Sequence, residues 1–184
     1  VSSGYLGGRY DLLGQRVLDV LLSFPTIILA LLLMVPLGRG IGTVVIAIAV
    51  VTVPGAARLV RSAALSVKEE VYVEGARAVG ASPLRIILRH VAPQCFAPMM
   101  VIATIDLGSA IFAEATLSFL GMGIQPPTSS WGRSLGASLQ GNFTPSWWLV
   151  VFPGLAITIT VLCFNLVGDG LRDHLDPRLR GRLN

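Results

Sequence analysis

Charged residues along this chain are confined to a few stretches, and the intervals between them have the length of bilayer helices. No Asp, Glu, Lys or Arg occurs from Val20 to Gly38 or from Gly40 to Ala57. Between Val91 and Gly132 the charges are Asp106 and Glu114, and from Ser134 to Gly168 there are none. A helix rises ~1.5 Å per residue, so about 20 apolar residues cross a hydrocarbon core of ~30 Å. The first two intervals each predict one such helix. The third predicts one over Ala97–Leu120, and the fourth one over Trp147–Val167 after a polar lead-in. Pro25, Pro54-Gly55, Pro98 and Pro153-Gly154 fall inside these runs as expected interruptions, which bilayer helices tolerate where neighbours satisfy the freed carbonyls. The expected class is an all-α polytopic membrane protein with four spans.

Composition strengthens this picture. Of 184 residues, 53% are hydrophobic and 13% charged, against about 25% charged in an average soluble domain. That balance excludes an ordinary soluble domain and a disordered chain. Two cysteines exclude a disulfide scaffold. The bases then set orientation. Segment 58–92 carries Arg58, Arg61, Lys68, Arg77, Arg85 and Arg89, the tail carries Arg172, Arg178, Arg180 and Arg182, and the N-terminal stretch carries Arg9 and Arg16. The remaining connections hold Arg39 and Arg133. Base-rich segments stay cytoplasmic, which puts both termini and 58–92 inside, with 38–41 and 121–146 outside. Trp147 and Trp148 would then sit at the outer interface, where indoles favour the headgroup level. This sidedness accounts for the net charge of +4 without a nucleic-acid partner. The chain starts with Val, and Gly4, Gly7 and Gly8 read as the end of a preceding element, so an N-terminal truncation is expected.

Segment 58–92 is longer than a connection needs, and it is patterned. Val67–Val79, with Glu69, Glu70 and Glu74 toward its start, reads as a short helix favoured by its dipole. Gly75, Ala76 and Ala78 give it small side chains that permit close approach. Gly80 can end it in a left-handed cap. Ser82-Pro83 restarts a helix, Ser as N-cap and Pro at the first position. Leu84, Ile87, Leu88 and Val91 then recur at i, i+3, i+4 and i+7 as one apolar stripe. Ala92-Pro93 leads into the next span, because a residue before Pro disfavours helix. The expected object is a helix–turn–helix outside the bilayer, either lying on lipid headgroups or docking a cytoplasmic partner.

Several chemistries are excluded. The lone lysine, Lys68, has no glycine-rich loop before it, so the phosphate-cradling loop of an ATPase is absent. His90 and His174 flank the spans, there is no H-E-x-x-H pattern, and Cys95 and Cys163 lack metal-ligand spacing. Asp106 and Glu114 lie inside the third span, where carboxylates face protein or a water-filled path. They could line a pathway or make interhelical hydrogen bonds. Eight residues separate them, about 80° around a helix, so they need not share a face.

Glu74-Gly75-Ala76, Gly80 and Pro93 resemble the E-A-A-x-x-x-G-x₉-I-x-L-P loop of ABC importer permeases, with Gly75, His90 and Ala92 departing from it. YVEGARAVGASPLRIILRHVAPQ, AEATLSFLGMGIQPPTSSWG and FPGLAITITVLCFNLVGDGLRDHLDPR resemble the dipeptide/oligopeptide/nickel group, most closely its C-type subunit. The resemblance covers residues 1–184 as one transmembrane domain, with 67–93 as its coupling loop. It implies the last four of six spans. It also implies a second permease subunit, two ABC ATPase subunits that bind ATP and Mg, and an extracytoplasmic solute-binding protein meeting loop 121–146, all in the lipid of an inner membrane. No cofactor is expected in this chain. The coupling residues it implies are Glu74, Gly75, Ala76, Gly80, Ser82, Pro83, Leu84, Ile87, Leu88 and Pro93. The shared A-E-A-x-L-S-F-L-G setting implies a structural role for Glu114. The competing class is a secondary transporter or channel, which has no use for such a hairpin.

Overall fold

The computed structural model describes residues 4, 5, 7–141 and 146–175. Arg178, Arg180 and Arg182 of the basic tail and residues 142–145 of the outer connection lie outside the described residues. Every regular element among the described residues is helical: α1 (Gly8–Leu22), α2 (Thr26–Leu37), α3 (Ile41–Lys68), α4 (Val71–Ala78), α5 (Pro83–Phe119), α6 (Trp131–Gly141) and α7 (Trp147–Leu175). Three of them, α3, α5 and α7, are each long and apolar enough to cross a membrane.

The first interval behaves differently from the expectation of one straight span over 20–38. The chain breaks after Leu22, and α2 leaves α1 at 94°. Pro25 stands at the N-cap of α2 in an extended conformation, where its missing N–H and fixed φ do no harm. With only 12 residues, α2 reaches ~18 Å. A fourth crossing exists only if the bent pair counts as one. The other expected interruptions do not break their helices. Pro54, Pro98 and Pro153 all lie inside continuous helix, as does Pro36.

The long helices also overrun their apolar intervals. The run expected over 40–57 continues as α3 to Lys68, and α7 runs from Trp147 to Leu175. The expected helix Val67–Val79 therefore shortens to α4, because Val67 and Lys68 still belong to α3 and Glu69 caps its end. Pro93 does not mark a join. Helix runs unbroken from Pro83 to Phe119, with a π-helical turn over Ile87–Val91 just before the proline. That wider turn, in which the Ala92 N–H reaches the Ile87 carbonyl, relaxes the ladder where the proline donor is missing.

α5 is the hub, packed against α3, α6 and α7, while α1 lies on α3. Glycines set the close approaches. A Cβ on Gly108 of α5 would come 3.0 Å from Asn165 Oδ1 of α7, and one on Gly168 of α7 would come 2.9 Å from Thr104 Oγ1 of α5. Small residues at such crossings let helices meet without a hydrophobic drive from water. The outer connection, expected as a loop over 121–146, holds α6. It lies so close to α5 that a Cβ on Gly132 or Gly136 would stand 2.0 Å from the Ala115 carbonyl oxygen or 2.7 Å from that of Phe119. Two apolar clusters result. One joins α2, α3 and the C-terminal end of α5 through Ala30, Met34, Val44, Ala47 and Leu117. The other, the inner cluster behind α4, joins Tyr5, Ala64 of α3, Val73 of α4, and Ile86, Ile87, Val91 and Cys95 of α5.

Candidate functional site

The hairpin formed by α4 and the start of α5 is built from its caps. Glu70 is the N-cap of α4 and Glu74 lies in its first turn, where a carboxylate favours the dipole. The helix ends in a Schellman turn. Gly80 N–H donates to the Arg77 carbonyl at 2.9 Å, and Ala81 N–H donates to the Ala76 carbonyl at 3.0 Å. Gly80 has φ +78, the left-handed value this motif needs and which a Cβ makes costly. Ala76 and Ala81, which these bonds connect, both pack on the inner cluster, the apolar contact that accompanies the motif. Ser82 and Pro83 stand at the N-cap and first position of α5, although the Ser82 hydroxyl makes no capping bond.

The single stripe expected from Leu84, Ile87, Leu88 and Val91 splits in two. Ile87 and Val91 are buried with Ile86, whereas Leu84 and Leu88 stay 66% and 64% exposed. The π-helical turn explains this. It adds a residue to one turn, so the buried positions become Ile86, Ile87, Val91 and Cys95, and the 84/88 pair rotates outward. Val71 and Val79 join the outward set at 80% and 84% exposure. Glu74 and Gly75 are exposed and Ala76 is half-buried. The hairpin therefore has an inner face that is packed and an open outer face where apolar and small side chains stand beside Glu74. Tyr72 lies tilted against His90, ring centroids 6.3 Å apart. Desolvation, reinforced by the Glu70 charge, pushes the Tyr72 phenol above its ordinary value.

The intramembrane carboxylates are not equivalent. Glu114 Oε1 accepts a 2.6 Å hydrogen bond from the Ser118 hydroxyl, whose oxygen accepts one from the Ile124 N–H at 3.2 Å. This ties the end of α5 to the loop that follows, a bond within one helix and its cap and not between helices. The same end carries a second Schellman turn, with Gly121 at φ +80 and Met122 N–H donating to the Leu117 carbonyl at 3.0 Å. Asp106 is half-buried. A cleft of about 390 Å³ opens between α2, α5 and α7, lined by Thr26, Ile27, Gly108, Ser109, Phe112 and Asn165 among others. Asp106 does not line it. Glu114 and Asp106 are thus not brought together with each other or with the hairpin.

Two ion pairs were not foreseen. The Arg61 Nε donates to Asp11 Oδ1 at 2.7 Å, and Arg58 pairs with Asp19. They clamp α1 to the hairpin end of α3. The signal was present as two acids, Asp11 and Asp19, within 8–22 and two bases, Arg58 and Arg61, three residues apart.

Comparison with known proteins fits this architecture. Residues 1–181 match the family model of the binding-protein-dependent transport system inner membrane component. The chain belongs to that family. A Brucella suis protein named for a peptide transport system permease is 50% identical over 172 residues, covering 94% of this chain and 58% of that protein. A glutathione transport system permease protein of Escherichia coli O1:K1 is 45% identical over 177 residues, covering 96% of this chain and 58% of its own. The chain thus spans less than two thirds of these relatives. An inward-facing structure of the MetNI methionine ABC transporter superposes with a TM-score of 0.71 at 21% identity, over 88% of this chain and 73% of that one. That likeness concerns the fold.

Proposed function

We propose that this chain is the permease subunit of an ATP-driven importer, contributing half of a solute pathway and coupling to a separate ATPase through loop 67–93. The observation that carries the reading is the outer face of the hairpin. Val71, Val79, Leu84 and Leu88 are all more than 60% exposed, on an element whose opposite face is anchored in the inner cluster. A rigid, small-sided, apolar projection suits insertion into a cleft on a partner protein. On this reading Glu74, Gly75, Ala76 and Gly80 shape the docking turn, Ser82 and Pro83 launch the return helix, and Leu84 and Leu88 meet the ATPase. Ile87 supports them from behind, and Pro93 fixes the π-helical turn beneath.

The partners are a second permease subunit, two ABC ATPase subunits carrying ATP and Mg, and an extracytoplasmic solute-binding protein. The cargo is a di- or oligopeptide, the tripeptide glutathione included, with nickel or a related small solute as the alternative. Both described ends and the hairpin face the cytoplasm of a bacterial or archaeal inner membrane. The test is reconstitution in proteoliposomes with the cognate subunits. ATP-dependent, vanadate-sensitive uptake is expected, and uptake that persists without any ATPase overturns the reading in favour of a secondary transporter or channel. Leu84→Asp with Leu88→Asp is expected to abolish capture of the ATPase and leave the membrane bundle folded.

A further inference from the structure

We infer that Tyr5 is a positioning residue for the hairpin, a pin that fixes α4 on the membrane helices. The side chain is 7% exposed and belongs to the same buried cluster as Ala64 of α3, Val73 of α4, and Ile86, Ile87, Val91 and Cys95 of α5. It therefore touches the group in which all three elements of the hairpin region meet. Two cations from two of those elements lie over its ring. Lys68 Nζ, at the end of α3, is 5.8 Å from the centroid, and the Arg77 guanidinium, in the last turn of α4, is 5.3 Å away. Arg77 Nε also donates to the Tyr5 hydroxyl oxygen at 3.3 Å.

The chemistry explains why an aromatic stands there. Lys68 and Arg77 would repel each other, and a π face attracts both. Arg77 is also the residue whose carbonyl receives the Gly80 N–H in the Schellman turn. Holding its side chain therefore holds the end of α4. The neighbouring Gly4 seats the segment against α3, since a Cβ there would come 3.3 Å from both Cγ and the carbonyl oxygen of Arg61. An aliphatic side chain at position 5 would still fill the cluster but would offer the cations nothing. That separates a pin from ordinary packing.

The consequence for coupling rests on the docking role of the hairpin given above, whereas the pin itself does not. The test uses the full transporter complex in lipid nanodiscs, with spin labels at Leu59→Cys on α3 and Ala78→Cys on α4 in a Cys163→Ser background. Double electron–electron resonance is expected to give one narrow distance distribution for the parent and for Tyr5→Phe. A distribution at least twofold broader is expected for Tyr5→Leu. A Tyr5→Leu distribution as narrow as the parent's overturns the pin. The ratio of binding-protein-stimulated to basal ATP hydrolysis is expected to fall about three- to tenfold in Tyr5→Leu and to stay within about twofold in Tyr5→Phe. An unchanged ratio in Tyr5→Leu overturns its part in coupling. A parent complex that captures no ATPase defeats the docking reading alone, because the spin-label distances still decide the pin.

Discussion

The hairpin and α6, packed at opposite ends of α5, are held to it by opposite means. Beside the hairpin, Val73, Ile86, Val91 and Cys95 fill the space between α3, α4 and α5 with side chains, each no more than 2% exposed. At the other end, α6 rests on α5 with hydrogen atoms in place of side chains, at Gly132 and Gly136. A side-chain core suffers from what is removed and can rearrange. A backbone-to-backbone contact suffers from what is added and has one register. The hairpin, which meets the ATPase on the reading above, thus depends on the side chains behind it, and α6 depends on the glycines beneath it.

Substitutions of opposite sense break this contrast most directly. The largest effect is expected from Gly132→Val, which puts carbon where only 2.0 Å separates the Cβ from a carbonyl oxygen. It should detach α6, a loss beyond about 4 kcal/mol, seen as early thermal unfolding in detergent and new protease sensitivity within 120–146. Ile86→Ala empties the inner cluster and is expected to cost about 2–5 kcal/mol in the same thermal assay, with α6 still protected. Ser118→Ala deprives both Glu114 and the Ile124 N–H of their partner, about 1–3 kcal/mol, and hydrogen exchange should rise at Ile124. Gly80→Ala meets no atom within 4 Å but must adopt φ +78, about 1–2 kcal/mol, and should lower ATPase capture more than thermal stability. Gly75→Ala also has open space around it and lies inside α4. It is expected to stabilise by up to about 1 kcal/mol, and a loss of stability there would mean the outer face is not open.

Much of this architecture was legible because it is local. Gly80 followed by Ser82-Pro83 specifies a helix end and a helix start through backbone geometry that neighbours cannot override, and both stand where the spacing put them. The apolar intervals located the cores of α3, α5 and α7 for the same reason, since crossing a bilayer is a property of composition. What composition misses is continuity. Pro25 breaks its helix while Pro36, Pro54, Pro98 and Pro153 do not, yet all five sit in equally apolar text. The difference lies in which carbonyls find partners, a tertiary matter. The splitting of the 84/87/88/91 stripe is tertiary too, because it depends on the cluster that buries Ile86 beside Ile87. The i, i+4 glycines at 132 and 136 were readable as a close-packing signal, but Ala115 and Phe119 as their partners were not. Of the candidate site, the turn residues were legible and the outward rotation of Leu84 and Leu88 was not.

The overrun of α3 has a mechanical meaning. From Arg58 to Lys68 the helix continues without a break, a rod of ~16 Å rigidly joined to the part inside the bilayer. Torque applied at its tip is delivered undiminished to the core of the bundle, and a tilt of about 10° there sweeps the tip by about 3 Å. The right-angled break between α1 and α2 interrupts the axis there, so the two neighbouring segments stand as a straight lever and a corner.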